Sequence, residues 1–232
     1  MTPPPTRDFI MDWMSCADPV AKLRELRANG WTRERFPELD VLYGVAQPAE
    51  HHPEIDTGVH VELVLGVAAS LSNDPRTRWA ALVHDLGKGL TPTDKLPQHI
   101  LHEEAGVPLA RAAGERFKLP DDWVWLGAMT SRHHLQAHRS LEMKGNSSVR
   151  FIRKAGFADR PPLFECFLAA CEADARGRTG RENNPYPQAD YLREVFVVVR
   201  EYEVKEMHLE QARTKAVTPI LRKYLDQRVK VE

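Results

Sequence analysis

Residues 73–89 read NDPRTRWAALVHDLGKG, and this stretch decides what kind of fold the chain can adopt. Asn73-Asp74-Pro75 is a helix start, because a short carboxylate caps free amides and proline suits the first helical position, where its missing N–H costs nothing. Trp79, Ala80, Ala81, Leu82 and Val83 follow without a polar break, so the helix predicted to run to about His84 looks buried. Gly87 and Gly89 then stop it. A buried helix ending in a His-Asp pair requires neighbours on every side.

Working outward, those neighbours read as helices too. Asp18-Pro19 with Val20, Leu23, Leu26 and Trp31 marks a capped amphipathic helix closed by Gly30. From Thr57 the apolar spacing Val61, Val64, Leu65, Ala68 and Leu71 is again helical. Further helices are predicted over 103–117, over 121–138 after Pro120, over 147–155, 162–174 and 189 to about 209, with a last short one from Pro219. Only 194–199 (EVFVVV) has strand-like β-branching, and its charged flanks assign it to a helix. The expected fold class is all-α, with residues 18–232 as one domain behind a flexible leader, 1–17.

The chain has 232 residues, 42% hydrophobic and 28% charged, enough for a sizeable core. A formal net charge of -1 gives no global field toward nucleic acid or acidic membrane, so a phosphate partner must be bound locally. MTPPPTRD lacks the features of a signal peptide, and nothing approaches 18 uninterrupted apolar residues. Three cysteines without finger spacing favour a reducing cytoplasm. Ten histidines are the informative count, since imidazole both ligates metals and carries protons near neutrality.

His84 and Asp85 are adjacent, and on a regular helix their side chains would diverge by about 100°. Unwinding at the glycines lets both aim inward. Imidazole with carboxylate suits manganese, iron, cobalt, nickel or zinc. A lone His-Asp pair also fits a helix-terminal histidine beside a solvated aspartate, so its company matters. His60 opens the preceding helix and can face the same pocket. Asp174 emerges from an apolar helix face carrying Leu163, Phe164, Phe167, Leu168, Ala170 and Cys171, where a carboxylate costs several kcal/mol unless paired or metal-bound. Lys88, Arg176 and Arg178 lie close in sequence to these groups and are candidate phosphate partners, Arg as a bidentate fork and Lys as a point charge. Arg181 is as readily a solvated side chain. His99, His134 and His138 read as a wet helix edge, His51 and His52 as shaping the loop before His60, and His208 as exposed among charges.

The spacing His60, His84-Asp85, Asp174 resembles the H…HD…D signature of the HD-domain metal-dependent phosphohydrolase superfamily. The resemblance implies an HD-domain helical bundle with one or two divalent ions on His60, His84, Asp85 and Asp174. It brings forward His102 and His133 as auxiliary ligands, since two-ion members draw histidines from the chain between the HD pair and the last aspartate. The longer strings FPELDVLYGV, HHPEIDTGVH, ALVHDLGKGLTP and CEADARGRTGRENNPYPQADYLRE are similar to the C-terminal half of bacterial multifunctional CCA-adding tRNA nucleotidyltransferases, from about residue 18 onward. That similarity implies phosphatase, 2'-nucleotidase and 2',3'-cyclic phosphodiesterase activities. Nickel is prominent among the family's ions, so nickel, manganese or cobalt is the expected metal, with magnesium, iron or zinc behind them. The nucleotidyltransferase head of that family has no counterpart here, and the chain is not expected to add CCA.

The expected chemistry is attack of an ion-activated water on phosphorus, with Asp85 holding that water or a proton and Lys88, Arg176 and Arg178 offsetting phosphoryl charge. The expected substrate is a nucleotide or RNA-end phosphate. Two alternatives stand beside it: a general 5'-nucleotidase, and a non-catalytic module that binds tRNA or a partner protein. Net charge limits unaided tRNA affinity, leaving weak tRNA binding through the local string from Arg222-Lys223 to Arg228 and Lys230.

Overall fold

A computed structural model of the chain describes residues 6–201 and 209–229; the first five residues, His208 and Lys230 lie outside the described residues. Those residues form helices and turns with no strand among them, only an isolated antiparallel bridge between Ala46 and Asp56. The fold is all-α.

The order is α1 (Arg7–Ser15), α2 (Pro19–Ala28), α3 (Trp31–Arg35), α4 (Pro37–Asp40), α5 (Thr57–Leu71), α6 (Pro75–Val83), α7 (His102–Arg116), α8 (Asp121–His138), α9 (Gly145–Lys154), α10 (Pro161–Arg176), α11 (Pro187–Glu201) and α12 (Leu209–Val229). Short 3-10 helices at Leu86–Leu90, Thr93–Lys95, Ser140–Glu142 and Phe157–Asp159 join some of them. The caps act as their residue types predict. Asp18, Asp56 and Asp74 accept from the backbone amides of Ala21, Val59 and Arg76 at 2.8, 2.9 and 2.9 Å.

Helix α6 is the central rod, buried from Thr77 to Val83 and packed by α5, α8 and α10. Its Trp79 joins a core of Trp31, Phe36 and Phe117 on one side, while a second core gathers Phe157, Phe164, Phe167 and Tyr191. Helix α7 packs on α8 and on the 3-10 helix Leu86–Leu90. Gly87 makes that last contact possible, because a Cβ there would run into the His102 carbonyl.

Two expectations change. The stretch read as a leader contains α1, whose Ile10, Trp13 and Met14 are buried at i, i+3, i+4 spacing. Buried Arg78 fastens it by donating to the Met14 and Cys16 carbonyls at 2.8 and 2.9 Å. The last helix does not begin at Pro219 but runs through it, since packing of α12 against α9 and α11 outweighs the hydrogen bond that proline forgoes. The 194–199 run is helical, inside α11, and among the described residues no helix is long and apolar enough to cross a membrane.

Candidate metal centre

Five helix segments converge beyond the C-terminal end of α6. α6 ends at Val83, His84 keeps helical dihedrals, and Asp85 turns out of the helix (φ -108°, ψ 12°) into the 3-10 helix. The two side chains thereby share one pocket, which His60 enters from the first turn of α5 and Asp174 from the last turn of α10. His102, first residue of α7, and His134, one turn before the C-terminal end of α8, complete the set. All six are buried, with relative exposures of 8% or less.

His60 Nε2 lies 3.1 Å from Asp174 Oδ1, and His84 Nε2 lies 3.2 Å from Asp85 Oδ2; the cross distances, His84 to Asp174 and His60 to Asp85, are both 3.8 Å. Two donors bonded to one transition-metal ion at about 2.1 Å stand roughly 3.0–3.4 Å apart, so these four atoms need little adjustment to share one. A second trio lies alongside. Asp85 Oδ1 is 3.2 Å from His102 Nε2 and 3.7 Å from His134 Nε2, and the two imidazole nitrogens are 3.4 Å apart. Asp85 gives one oxygen to each group.

The backbone fixes which nitrogen of each ring faces inward. Nδ1 of His60, His84, His102 and His134 meets the carbonyls of Gly177, Ala81, His99 and Ser131 at 3.0, 2.7, 2.7 and 2.8 Å. A carbonyl can only accept, so each Nδ1 carries a proton, and in the neutral ring, the form that ligates a metal, each Nε2 presents its lone pair to the pocket. Lone pairs then face carboxylate oxygens. His84 Nε2 and Asp85 Oδ1 are buried and form no hydrogen bond. Three buried carboxylates, Asp85, Asp174 and Glu54, also outnumber the two neighbouring cations, Lys88 and Arg178. Inward lone pairs, orphaned polar atoms and a surplus negative charge fit a divalent cation.

Titration follows the same field. Burial opposes ionisation of Asp85 and Asp174, but the charges of His84 and Lys88 on one and of His138 and His84 on the other hold both well below the usual carboxylate range. Burial disfavours charge on His84, yet the two carboxylates override it and raise its pKa. Burial pushes His134 down to about 3.

A further shell holds these groups. Lys88 Nζ lies 2.6 Å from Asp85 Oδ2 and donates to Gln47 Oε1 at 2.9 Å. Glu54 Oε1 lies 3.0 Å from both His52 Nδ1 and His60 Nδ1. His138 Nε2 lies 2.6 Å from Asp174 Oδ2, with its Nδ1 2.9 Å from the Tyr186 hydroxyl.

The structure brings together His60, His84, Asp85, Asp174, His102, Lys88 and Arg178, the last with its guanidinium 3.4 Å from Asp174 Oδ1. It does not bring in two candidates. His133 faces Phe151 and Phe157, with Nδ1 3.1 Å from Gln136 Oε1, about 100° around α8 from His134. Its neighbour His134 takes the place, and one residue along a helix accounts for the change. Arg176 is held at 2.8 Å by Glu172 and at 2.8 Å by the Glu182 carbonyl, away from the cluster. His134, His138 and His52, read as bland, and Glu54, unread, belong to the site. The helical phase of α8, Trp123, Leu126, Thr130, His134, Ala137, carried the signal for His134.

A family model described as HD domain matches residues 57–174, the interval from the start of α5 to Asp174. Curated proteins named Multifunctional CCA protein are similar over most of the chain. The one from Pseudomonas fluorescens (strain SBW25) is 47% identical over 186 residues, covering 80% of this chain and 46% of that protein. That from Pseudomonas syringae pv. syringae (strain B728a) is 46% identical over 193 residues, 83% and 47% of the respective chains. That from Thioalkalivibrio sulfidiphilus (strain HL-EbGR7) is 49% identical over 175 residues, 75% and 43%. The chain thus spans about half the length of the curated relatives it matches. With half of its residues under the family model, and both ends of that match carrying groups of the buried centre, the chain belongs to the HD domain family, within the metal-dependent phosphohydrolase superfamily.

Proposed function

We propose that the chain hydrolyses phosphate esters of nucleotides or RNA ends, as a 2',3'-cyclic phosphodiesterase, 2'-nucleotidase and phosphatase. One observation carries this reading: Asp85 stands between two groups of imidazoles, each with its Nε2 lone pair directed inward. His60, His84, Asp85 and Asp174 would hold one divalent ion, and Asp85, His102 and His134 a second. Nickel, manganese or cobalt suits this nitrogen and oxygen set. When bound, such an ion supplies Lewis acidity, acidifying water and screening phosphoryl charge.

The chain's own residues do the rest. Lys88 Nζ has three donors, and Asp85 and Gln47 occupy two, leaving the third for a phosphoryl oxygen. Arg178 Nε is buried without a hydrogen-bond partner and offers a second donor beside Asp174. Burial of the groups between them strengthens these charges relative to water. Asp85, held charged, stays an acceptor and keeps Lys88 in place. The similarity to Multifunctional CCA proteins supports a nucleotide or RNA-end substrate, with tRNA contact through exposed Arg222 and Lys223. Three free thiols suit the cytoplasm.

The test is phosphate release or ring opening from 2'-AMP, 3'-AMP, 5'-AMP and 2',3'-cyclic AMP, each with nickel, manganese, cobalt and magnesium. Turnover of the 2' and cyclic substrates, absent from a folded His84→Ala variant, is the expected result. Preference for 5'-AMP makes the chain a general nucleotidase. No turnover with any ion, alongside salt-sensitive tRNA binding, makes it a binding module.

A further inference from the structure

Beside the centre, between the 3-10 helix Leu86–Leu90 and the start of α7, lies a cavity of about 290 Å³. Leu90, Pro92 and Ile100 line it together with Lys95, Gln98 and His102. Its size is at the low end of small-molecule sites, roughly 300–1,000 Å³ and mostly apolar with a few polar groups.

Two further observations set this loop apart. Of the eight exposed large apolar side chains among the described residues, three belong to it: Leu90 (59% exposed), Ile100 (80%) and Leu101 (62%). Apolar groups gathered at the surface beside a buried polar centre mark a contact surface. The loop is also held in shape. His99 Nε2 donates to the Ala46 carbonyl at 3.0 Å, so its Nδ1 accepts from the Thr91 hydroxyl at 2.7 Å. Leu101 adopts a left-handed conformation (φ 59°), costing of order 1 kcal/mol or more, and this turn starts α7 at His102. One imidazole thereby serves both places: its Nε2 faces Asp85 Oδ1 at 3.2 Å while the residue lines the cavity.

We infer that this cavity receives the nucleoside part of the substrate, with the base packed on Leu90, Pro92 and Ile100 and its edge toward the Gln98 amide. Aliphatic walls accept the π-face of any base, and a single amide offers both a donor and an acceptor to a base edge. The volume holds one nucleoside and no second. Since the His102 wall adjoins the centre, a nucleoside seated here directs its ribose phosphate toward the Asp85 side. The inference rests on the proposed phosphohydrolase reading and adds where the base binds.

The test uses adenosine, which has no phosphate, on the metal-stripped full chain, followed by amide NMR. Adenosine is expected to shift resonances of residues 90–102, and Ile100→Ser and Leu90→Ser, both at exposed positions, to weaken that binding about tenfold. The same variants should raise KM for 2',3'-cyclic AMP about tenfold with kcat unchanged, and leave hydrolysis of 1-O-methylribose 2,3-cyclic phosphate, which has no base, as it was. Adenosine shifts elsewhere or nowhere, or equal losses on the base-free cyclic phosphate, overturn the inference. Adenosine binding requires neither ion nor turnover, so its failure refutes the cavity alone, whereas binding in a chain inactive with every ion refutes the hydrolase reading alone.

Discussion

His138 Nε2 stands 2.6 Å from Asp174 Oδ2, while the other oxygen of that carboxylate faces His60 Nε2 at 3.1 Å. One histidine from α8 therefore orients the carboxylate that the centre depends on, and Tyr186 orients that histidine at 2.9 Å. Supports of this kind are worth about 10–100-fold in metal affinity. His138→Ala should weaken nickel or manganese binding by that factor in titration calorimetry, Tyr186→Phe by less, and His138→Gln should recover part of the loss by keeping a donor. Unchanged affinity in all three would mean Asp174 is oriented by the backbone alone.

His133 and His134 offer a matched pair one residue apart. His134→Ala should lower phosphate release by more than about a hundredfold, because it removes a donor atom facing Asp85 Oδ1. His133→Ala, at a ring packed on Phe151, should leave turnover within about threefold and cost some stability instead. Equal kinetic losses would contradict the inward assignment of His134.

Removing Asp85 should have two separable effects. Asp85→Ala leaves Lys88 buried with Gln47 as its remaining partner, and breaking a buried ion pair costs about 3–5 kcal/mol. Asp85→Asn with Lys88→Met removes both charges and should regain most of that stability in urea denaturation while remaining inactive. Activity in the folded double variant would remove Asp85 from the chemistry.

Acid should weaken the metal-stripped protein. Burial pushes His134 down to about 3 and His52 to about 4, so both are neutral in the fold, whereas the unfolded chain protonates them below about pH 6.5. The unfolded state then binds more protons between pH 6.5 and 4, and stability falls in that window by up to about 1.4 kcal/mol per unit for each. His84, whose pKa is raised, works the other way: its contribution is full below about pH 6.5 and fades as pH rises through its folded value. Burial lowers His99 and His133 as well, and four groups against one leave the urea midpoint lower at pH 5 than at pH 7. A midpoint higher at pH 5 would show that the first two are protonated in the fold.

Much of this was legible in the chain. Asp18, Asp74, Pro75 and the glycines after Asp85 mark helix ends through local chemistry alone, and His60, His84, Asp85 and Asp174 all lie in first or last helical turns or just beyond them. What failed to read is instructive. His133 and His134 differ by about 100° in helical phase, and it is His134 that shares the buried phase of Trp123, Leu126 and Thr130. Helix α1 hid behind a proline-rich start, although Ile10, Trp13 and Met14 have helical spacing. Glu54 was illegible in principle, because its approach to His60 depends on how the loop between α4 and α5 folds back, and Arg176 leaves the centre because Glu172 sits one turn before it.

The most direct measurement is anomalous diffraction at the metal edge from crystals equilibrated with nickel or manganese. The account requires a peak within bonding distance, about 2.0–2.3 Å, of His84 Nε2 and an Asp85 oxygen, with His60 and Asp174 around it and a second ion, when present, on His102 and His134. A well-ordered crystal with no peak between His84 and Asp85, and metal only at surface histidines such as His51, would contradict it.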